Sequence, residues 1–125
     1  MTKARLYCIY LELGREPGHP QGDTGHSYRL YLPLDNDGRI DPAGYRDMRD
    51  SCRVIRRRPG EEQAHGRILH GPGGRWMFDY SDAGTRDDEV GFKWSTEIFR
   101  PGEYVSIRED DGRTHPFRVL AVELD

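Results

Sequence analysis

The sequence has few cysteines and no long apolar run. Its two cysteines, Cys8 and Cys52, do not form a C-x-x-C spacing, so we interpret both as reduced, half-buried thiols. No apolar stretch approaches the roughly 20 residues that a membrane helix needs. Residues 1–14 alternate between polar and apolar side chains and lack a small-residue cleavage site, unlike a signal peptide. These absences predict a soluble, cytoplasmic protein that does not enter a membrane.

Apolar residues are also scarce. They make up 34% of the 125 residues, whereas charged residues make up 33%, above the usual share of about 25%. A chain of this length is typical of one domain, so we expect residues 1–125 to form a single domain. Its core must be thin, and it must depend on tyrosine, tryptophan and short aliphatic runs.

What the sequence does contain is an alternation of apolar and polar residues with a period of two, which is typical of strands with one buried face. Asp41 as N-cap and Pro42 at the first helical position predict one short helix over about 42–50. Because strands must hide their edges, we predict a mainly β fold, an antiparallel barrel-like or strongly bent sheet with that helix between the second and third strands. The predicted strands cover residues 5–13, 27–34, 52–58, 65–70, 75–80, 92–99, 104–109 and 115–124.

The fifth predicted strand, "RWMFDY", gives the sharpest expectation about orientation. Its alternation predicts that Trp76 and Phe78 point inward, with Met77 and Asp79 on the other face. The preceding "GPGG" predicts a hairpin turn in which glycines supply positive φ angles.

Five motifs follow one another over nearly the whole chain. They are, in order, "PGHPQGDTGHSY", "PLDNDGRIDPAGY", "HGPGGRWMFDY", "GFKW" and "RPGEYVSIREDDGRTHPFRV". This ordered set resembles a family of small, uncharacterised bacterial proteins. The resemblance implies a bacterial, soluble, single-domain protein, and it implies no activity, ligand or site residue.

An arginine cluster lies within residues 46–58, in a chain whose net charge is −3. Phosphate binding needs such a cluster, so a nucleic-acid-binding barrel is one alternative function. In a regular strand, however, Arg53 and Arg57 lie on one face and Arg56 and Arg58 on the other, which does not suit a groove that tracks phosphates. We therefore interpret the arginines as a solvated face that balances nearby acidic segments, and we expect no nucleic-acid partner.

The histidines raise a second alternative, a metal-assisted enzyme. His19 and His26 lie with Asp23 in the non-periodic segment 14–27, but they match no ligand spacing such as H-E-x-x-H. The segment "DNDGRID" does not fit a calcium loop, because a glycine at its sixth position leaves no acid at the first or the twelfth. The chain also lacks the nucleophile and phosphate-binding motifs of common enzymes. We favour a non-enzymatic protein and expect neither a metal nor a cofactor.

The function predicted from sequence is a soluble, non-catalytic binding or interaction module of barrel type. The expected binding surface is the barrel mouth with segment 14–27, because barrel openings and long loops commonly hold ligands. Its partner is expected to be a small molecule or a protein, and the oligomeric state is left open. The aromatic candidates also suit a purely structural role in the core. The candidate ligand-binding residues are His19, His26, Tyr28, Trp76, Tyr80 and Trp94.

Overall fold

The structure, a computed structural model, describes residues 4–80, 89–92 and 94–125. Eight antiparallel strands form a closed barrel in which each strand pairs with the next in sequence and the last pairs with the first. The predicted barrel is therefore confirmed, and its sheet is fully closed. The strands are β1 (Leu6–Leu13), β2 (Asp23–Pro33), β3 (Arg53–Arg57), β4 (Ala64–His70), β5 (Trp76–Tyr80), β6 (Glu89–Phe92), β7 (Tyr104–Arg108) and β8 (Thr114–Leu124).

Two strands differ from the sequence prediction by more than one residue at a boundary. β2 begins at Asp23, so residues 23–27 of segment 14–27 are strand and residues 14–22 are a connection. The predicted strand 92–99 is wrong, because residues 94–96 form a turn and the sixth strand ends at Phe92. The physical reason is packing: the Trp94 ring folds back over Gly91, where an added Cβ atom would lie 2.2 Å from the indole. Residues 81–88, which are rich in acidic side chains, lie outside the described residues.

The helix predicted between β2 and β3 is confirmed as α1 (Pro42–Asp47). It is shorter than predicted, because a 3₁₀ turn over Arg49–Ser51 follows it. The Asp41 carboxylate accepts hydrogen bonds from the backbone amides of residues 43 and 44, as an N-cap should. From this helix the Tyr45 hydroxyl donates to the Ile68 carbonyl at 2.8 Å, which fixes the helix against the barrel.

The barrel interior is filled by the inward-facing residues of alternate strand positions. In β5, Trp76 and Phe78 are buried whereas Asp79 is exposed and Met77 is half-buried, so the predicted orientation of this strand is confirmed. The turn before β5 contains glycines with φ near +75°, as predicted for this hairpin. Other buried side chains of the core are Ile9, Leu11, Leu30, Leu32, Val54, Ile68, Val105, Ile107, Phe117 and Val119.

The two ends of the barrel are built differently. One end, which we call the helix end, contains α1, the turn Pro72–Gly74 and residues 94–103. The other end, which we call the loop end, contains the described connections 14–22, 58–63 and 109–113. At the helix end, the connections that contain α1 and residues 94–103 supply buried aromatic side chains such as Tyr45, Trp94 and Phe99. The buried charged residues Arg56, Glu89 and Glu109 lie at the loop end.

Cys8 and Cys52 are free thiols, and both are buried and not half-buried. Burial raises the pKa of the Cys52 thiol to about 11, so it stays protonated near neutral pH. None of the helices in the described part of the chain is long and apolar enough to cross a membrane.

Candidate functional site

A group of polar and charged side chains fills the interior of the barrel at the loop end. Its members lie on the inward face of strands β2, β3, β5, β6 and β8 or directly after β3 and β7, so strand alternation turns them inward. They come from six separated segments of the sequence, and barrel closure brings them together. We call this group the loop-end cluster; it consists of His26, Tyr28, Arg56, Arg58, Tyr80, Glu89, Glu109 and His115.

Glu89 lies at the centre of the cluster and has no exposed surface. Its Oε1 accepts a hydrogen bond from the Tyr80 hydroxyl. Its Oε2 accepts from the Tyr28 hydroxyl at 2.9 Å and from Arg58 Nη2 at 2.5 Å. Burial raises the pKa of the Glu89 carboxyl above its ordinary value, although the Tyr80 hydrogen bond and the arginines oppose that shift.

Glu109 is the second buried carboxylate of the cluster. It accepts a hydrogen bond from the Tyr28 hydroxyl, and its Oε2 lies 2.8 Å from His26 Nε2 and 3.2 Å from Arg58 Nη2. Burial alone would raise its pKa, but the hydrogen bonds from His26 and Tyr28 and the charge of Arg58 outweigh burial and lower it. The two carboxyl groups therefore differ in proton affinity although one tyrosine contacts both.

The Tyr28 hydroxyl carries one proton and contacts a carboxylate oxygen on each side. The two carboxylates therefore share the single proton that this hydroxyl can donate. Burial, followed by the charge of Glu89, raises the pKa of Tyr28 well above its ordinary value, so the phenol stays neutral.

His115 joins two loops at the rim of the cluster. Its Nδ1 lies 2.9 Å from Glu16 Oε1, and its Nε2 lies 2.9 Å from Asp111 Oδ2. Burial alone would lower the pKa of His115, but the hydrogen bonds with Asp111 and Glu16 outweigh burial and raise it above 6.5. Because each ring nitrogen faces a carboxylate, this geometry favours the doubly protonated imidazole. It thereby ties the β1–β2 connection to the β7–β8 connection.

The two arginines of the cluster have unused hydrogen-bonding capacity. The Arg56 side chain is 8% exposed, its guanidinium lies over the Tyr80 ring at 4.4 Å, and its Nη1 is 3.4 Å from Glu89 Oε2. Arg58 contacts Glu89, Glu109 and, at 3.0 Å, Asp110. Among the residues that the structure describes, three side-chain nitrogens are buried without a hydrogen-bond partner: Arg56 Nη1 and Arg58 Nε in the cluster, and Trp76 Nε1 at the helix end. An unpaired buried donor costs roughly 1–3 kcal/mol, so the two arginine nitrogens call for an explanation.

A surface cleft borders this cluster at Arg58. It has a volume of about 530 Å³ and is lined by Arg57, Arg58, Glu61, Gln63 and the backbone of the β3–β4 connection, with Gly25 of β2 on its far side. Arg58 belongs both to the cleft and to the buried cluster, so a molecule in the cleft would meet the cluster at Arg58.

A larger cleft of about 820 Å³ lies elsewhere, beside the β4–β5 turn and the outer faces of β6 and β7. Its lining includes Arg75, Arg108 and Trp94, but the Trp94 indole is buried and already donates to the Ser106 carbonyl at 2.8 Å. The described lining of that cleft contains none of the unpaired buried donors. The smaller cleft is lined by Arg58, which has such a donor, so we take the smaller cleft as the candidate site.

The structure brings together three of the six residues predicted from sequence. His26, Tyr28 and Tyr80 belong to the loop-end cluster. His19 is half exposed and lies 3.4 Å from Glu16, outside the cluster.

The two predicted tryptophans lie away from the cluster. Trp76 stacks on His70 and packs edge-on against Tyr45 at the helix end. Trp94 packs between Phe78 and Phe99. Both rings are 1% exposed, so their observed environment is the core.

His19 and His26 do not converge, because one faces Glu16 and the other Glu109. Across the described ranges there is no group of three or more histidine, cysteine, aspartate or glutamate side chains that could hold a metal ion.

The interpretation of the arginines as a solvated face is correct for Arg53 and Arg57, which are exposed, and wrong for Arg56 and Arg58. Alternation turns the latter two inward on the same face as buried Val54, where they pair with buried carboxylates. The expected intramolecular charge balance is therefore present, but it occurs inside the barrel.

Sequence reasoning missed five members of the cluster. The signal for the arginines was their position on the core face of β3, because a charged residue on such a face is almost never left unpaired. Nothing local marked the two glutamates as their partners, and His115 was noted only as a strand-end histidine. The residues missed are Arg56, Arg58, Glu89, Glu109 and His115.

The fold and the site together define a closed eight-stranded antiparallel barrel with a helix across one end and a buried charged cluster at the other. A scan against protein-family models and searches of curated proteins and of solved structures found no match to this chain.

Proposed function

We propose that this protein is a non-catalytic binding barrel that takes a small polar molecule at its loop end. The observation that carries the proposal is the pair of buried guanidinium nitrogens without a hydrogen-bond partner, beside a cleft that opens to solvent. Buried ion pairs are frequently less stabilising than apolar residues of the same volume. The helix end of this chain is filled with apolar side chains, so a charged filling at the loop end calls for a reason other than stability.

The size of the cleft supports a small ligand. A volume of about 530 Å³ falls within the range of roughly 300–1,000 Å³ that is usual for small-molecule sites. The barrel axis itself is occupied by buried side chains such as Ile68, Phe78 and Ile107. A ligand therefore binds across the loop end, in contact with the cluster, and does not enter the barrel along its axis.

Binding without catalysis is favoured by how the carboxylates are held. A general base must reach the proton that it removes. Glu89 has no exposed surface, and both of its oxygens accept hydrogen bonds from neighbours. Glu109 is similarly enclosed by Tyr28, His26 and Arg58. The carboxylates therefore serve to orient and neutralise the arginines.

The nucleic-acid alternative loses support, because Arg56 and Arg58 point into the barrel and are not available to track a phosphate backbone. We place the protein in the cytoplasm, since its two free thiols suit a reducing compartment.

The test is a titration of ¹⁵N-labelled protein, followed by amide chemical shifts, with four small probes of different chemistry: acetate, acetamide, methylammonium and glucose. Probes of this size bind weakly, so they are added to about 10 mM or more. We expect at least one probe to shift the amides of Gly25 and residues 58–63 in a saturable manner, while amides of α1 stay unchanged. If no probe shifts the loop-end amides, or if the helix end responds instead, the proposal is wrong.

A further inference from the structure

We infer that the ligand of the loop-end cleft carries a carboxylate group, which binds between Arg56 and Arg58. This inference rests on the proposed binding function and specifies the chemistry of the ligand. It starts from the unused hydrogen-bonding groups of the cluster. In the described part of the chain, the cluster atoms that are buried without a hydrogen-bond partner are both donors, one on each guanidinium. A ligand that completes the cluster must supply acceptor oxygens.

The acceptor groups of the cluster are mostly engaged already. Three of the four carboxylate oxygens of Glu89 and Glu109 accept hydrogen bonds, from two tyrosines, a histidine and Arg58. The fourth, Glu109 Oε1, lies 3.6 Å from the His115 ring. A ligand whose polar groups were only donors, such as an amine, would have to displace existing bonds. The site is therefore complementary to acceptors and not to donors.

Glu61 indicates that a carboxylate can approach these arginines from the cleft. It lines the cleft, its side chain is 53% exposed, and its Oε1 lies 3.9 Å from Arg56 Nη2. That separation is too long for a hydrogen bond. Glu61 thus lies where a ligand carboxylate would approach Arg56, and it competes with that ligand without completing the guanidinium contacts.

The charges around the cleft favour a single negative charge over a larger one. The planar guanidinium fork matches a carboxylate through paired N–H donors. Asp110 and Glu61 at the rim carry negative charge close to the arginines. Repulsion from these groups penalises a phosphate dianion more than a monocarboxylate. We therefore commit to a monocarboxylate as the recognised group.

The deciding experiment follows the side-chain Nε–H signals of arginine and the loop-end amides during titration with acetate, inorganic phosphate and methylammonium. Acetate is expected to shift the signals of Arg56 and Arg58 in the wild-type protein. Glu61→Gln removes the competing carboxylate from an exposed position, so it should tighten acetate binding about two- to fivefold. Arg56→Gln should abolish the acetate response. Arg53→Gln, on the outward face of the same strand, is the matched control and should bind acetate like the wild type.

The outcomes distinguish a failure of the carboxylate inference from a failure of the proposed binding function. If methylammonium, acetamide or glucose shifts the cleft amides and acetate does not, the binding barrel stands and the carboxylate inference is wrong. Phosphate binding as tight as acetate binding would overturn the commitment to a monocarboxylate. If no probe binds, both proposals fall. If Arg56→Gln does not fold, the inference is tested by the acetate-induced shifts in the wild type and by the affinity of Glu61→Gln for acetate. Weaker or unchanged acetate binding in Glu61→Gln would contradict the inference.

Discussion

The helix end and the loop end of the barrel use the same strand alternation for opposite purposes. At the helix end, alternation places the Trp76 ring under the edge of Tyr45, with centroids 5.0 Å apart. At the loop end, it places Tyr28, Arg56 and Glu89 in the equivalent inward positions. The helix end therefore gains from hydrophobic burial, whereas the loop end carries the cost of desolvating charges. The comparison teaches that stability and recognition are divided between the two ends of one barrel.

The largest expected effect lies at the helix end. Trp76→Ala removes a ring that is 1% exposed, and we expect a loss of about 3–5 kcal/mol in the free energy of unfolding, measured by urea denaturation. Leu124→Ala is the control, because Leu124 is 55% exposed and should change stability by less than about 0.5 kcal/mol. Equal losses in the two variants would contradict the assignment of the helix end as the main source of stability.

Gly91→Ala tests the packing that ends β6. The new methyl group would lie 2.2 Å from the Trp94 ring, so we expect a loss of about 1–3 kcal/mol from overpacking. Trp94→Leu in the same chain should relieve part of that clash. In a double-mutant cycle the combined loss should then be smaller than the sum of the single losses. Additive losses would show that Trp94 does not rest on Gly91.

Tyr28→Phe probes the loop end without changing its volume by much. It removes the hydroxyl shared by Glu89 and Glu109, and we expect a loss of about 1–3 kcal/mol in chemical denaturation. Tyr104→Phe is the control, since Tyr104 is 52% exposed and its change should be close to zero. A Tyr28→Phe variant as stable as the wild type would mean that the shared hydroxyl does not hold the two carboxylates.

The smallest expected effect is a pH dependence from His115. The folded state raises the pKa of His115 above 6.5, so it favours the charged imidazole. The resulting stabilisation is fully present below about pH 6.5 and is lost as the pH rises through the folded-state pKa. We therefore expect the Tm to fall as the pH is raised from 6 to about 9. The groups that face this ring are Glu16, Asp111, Glu109 and, with ring centroids 6.4 Å apart, His26.

Glu16→Gln should reduce that pH-dependent fall in Tm, because it removes one of the two carboxylates that hold the imidazolium. Glu62→Gln, on the exposed β3–β4 connection, should leave the fall unchanged. An NMR titration of the His115 ring gives the folded-state pKa directly, and a value at or below 6.5 would contradict the expected direction.

Much of the fold could be predicted because its signals are local. Alternation marked seven of the eight strands, and Asp41 followed by Pro42 marked the helix start. The exception is the sixth strand, because Phe92, Trp94 and Ile98 have the alternating spacing that is typical of a strand but only Phe92 lies in one. Tertiary packing overrode that pattern, since Trp94 is needed to fill the space over Gly91.

The site was only partly predictable because its contacts are long-range. Tyr28 and Tyr80 were found through their position near the barrel mouth, together with His26. Arg58, Glu89 and Glu109 lie far apart in sequence and meet only when the barrel closes. A charged residue near a strand end is expected to be exposed to solvent unless a buried partner is known. No local sequence pattern identifies such a partner.

Pairing of β1 with β8 also determines when the protein finishes folding during its synthesis. Tyr7 lies opposite Leu124, so one edge of the first strand stays without a neighbour until the last strand has left the ribosome. Closing so long a loop is entropically slow, and an open strand edge can recruit other chains. The contact of His115 on β8 with Glu16 forms at the same late step. The nascent chain is therefore most prone to aggregation just before β8 emerges, and completion of the loop end coincides with the removal of that hazard.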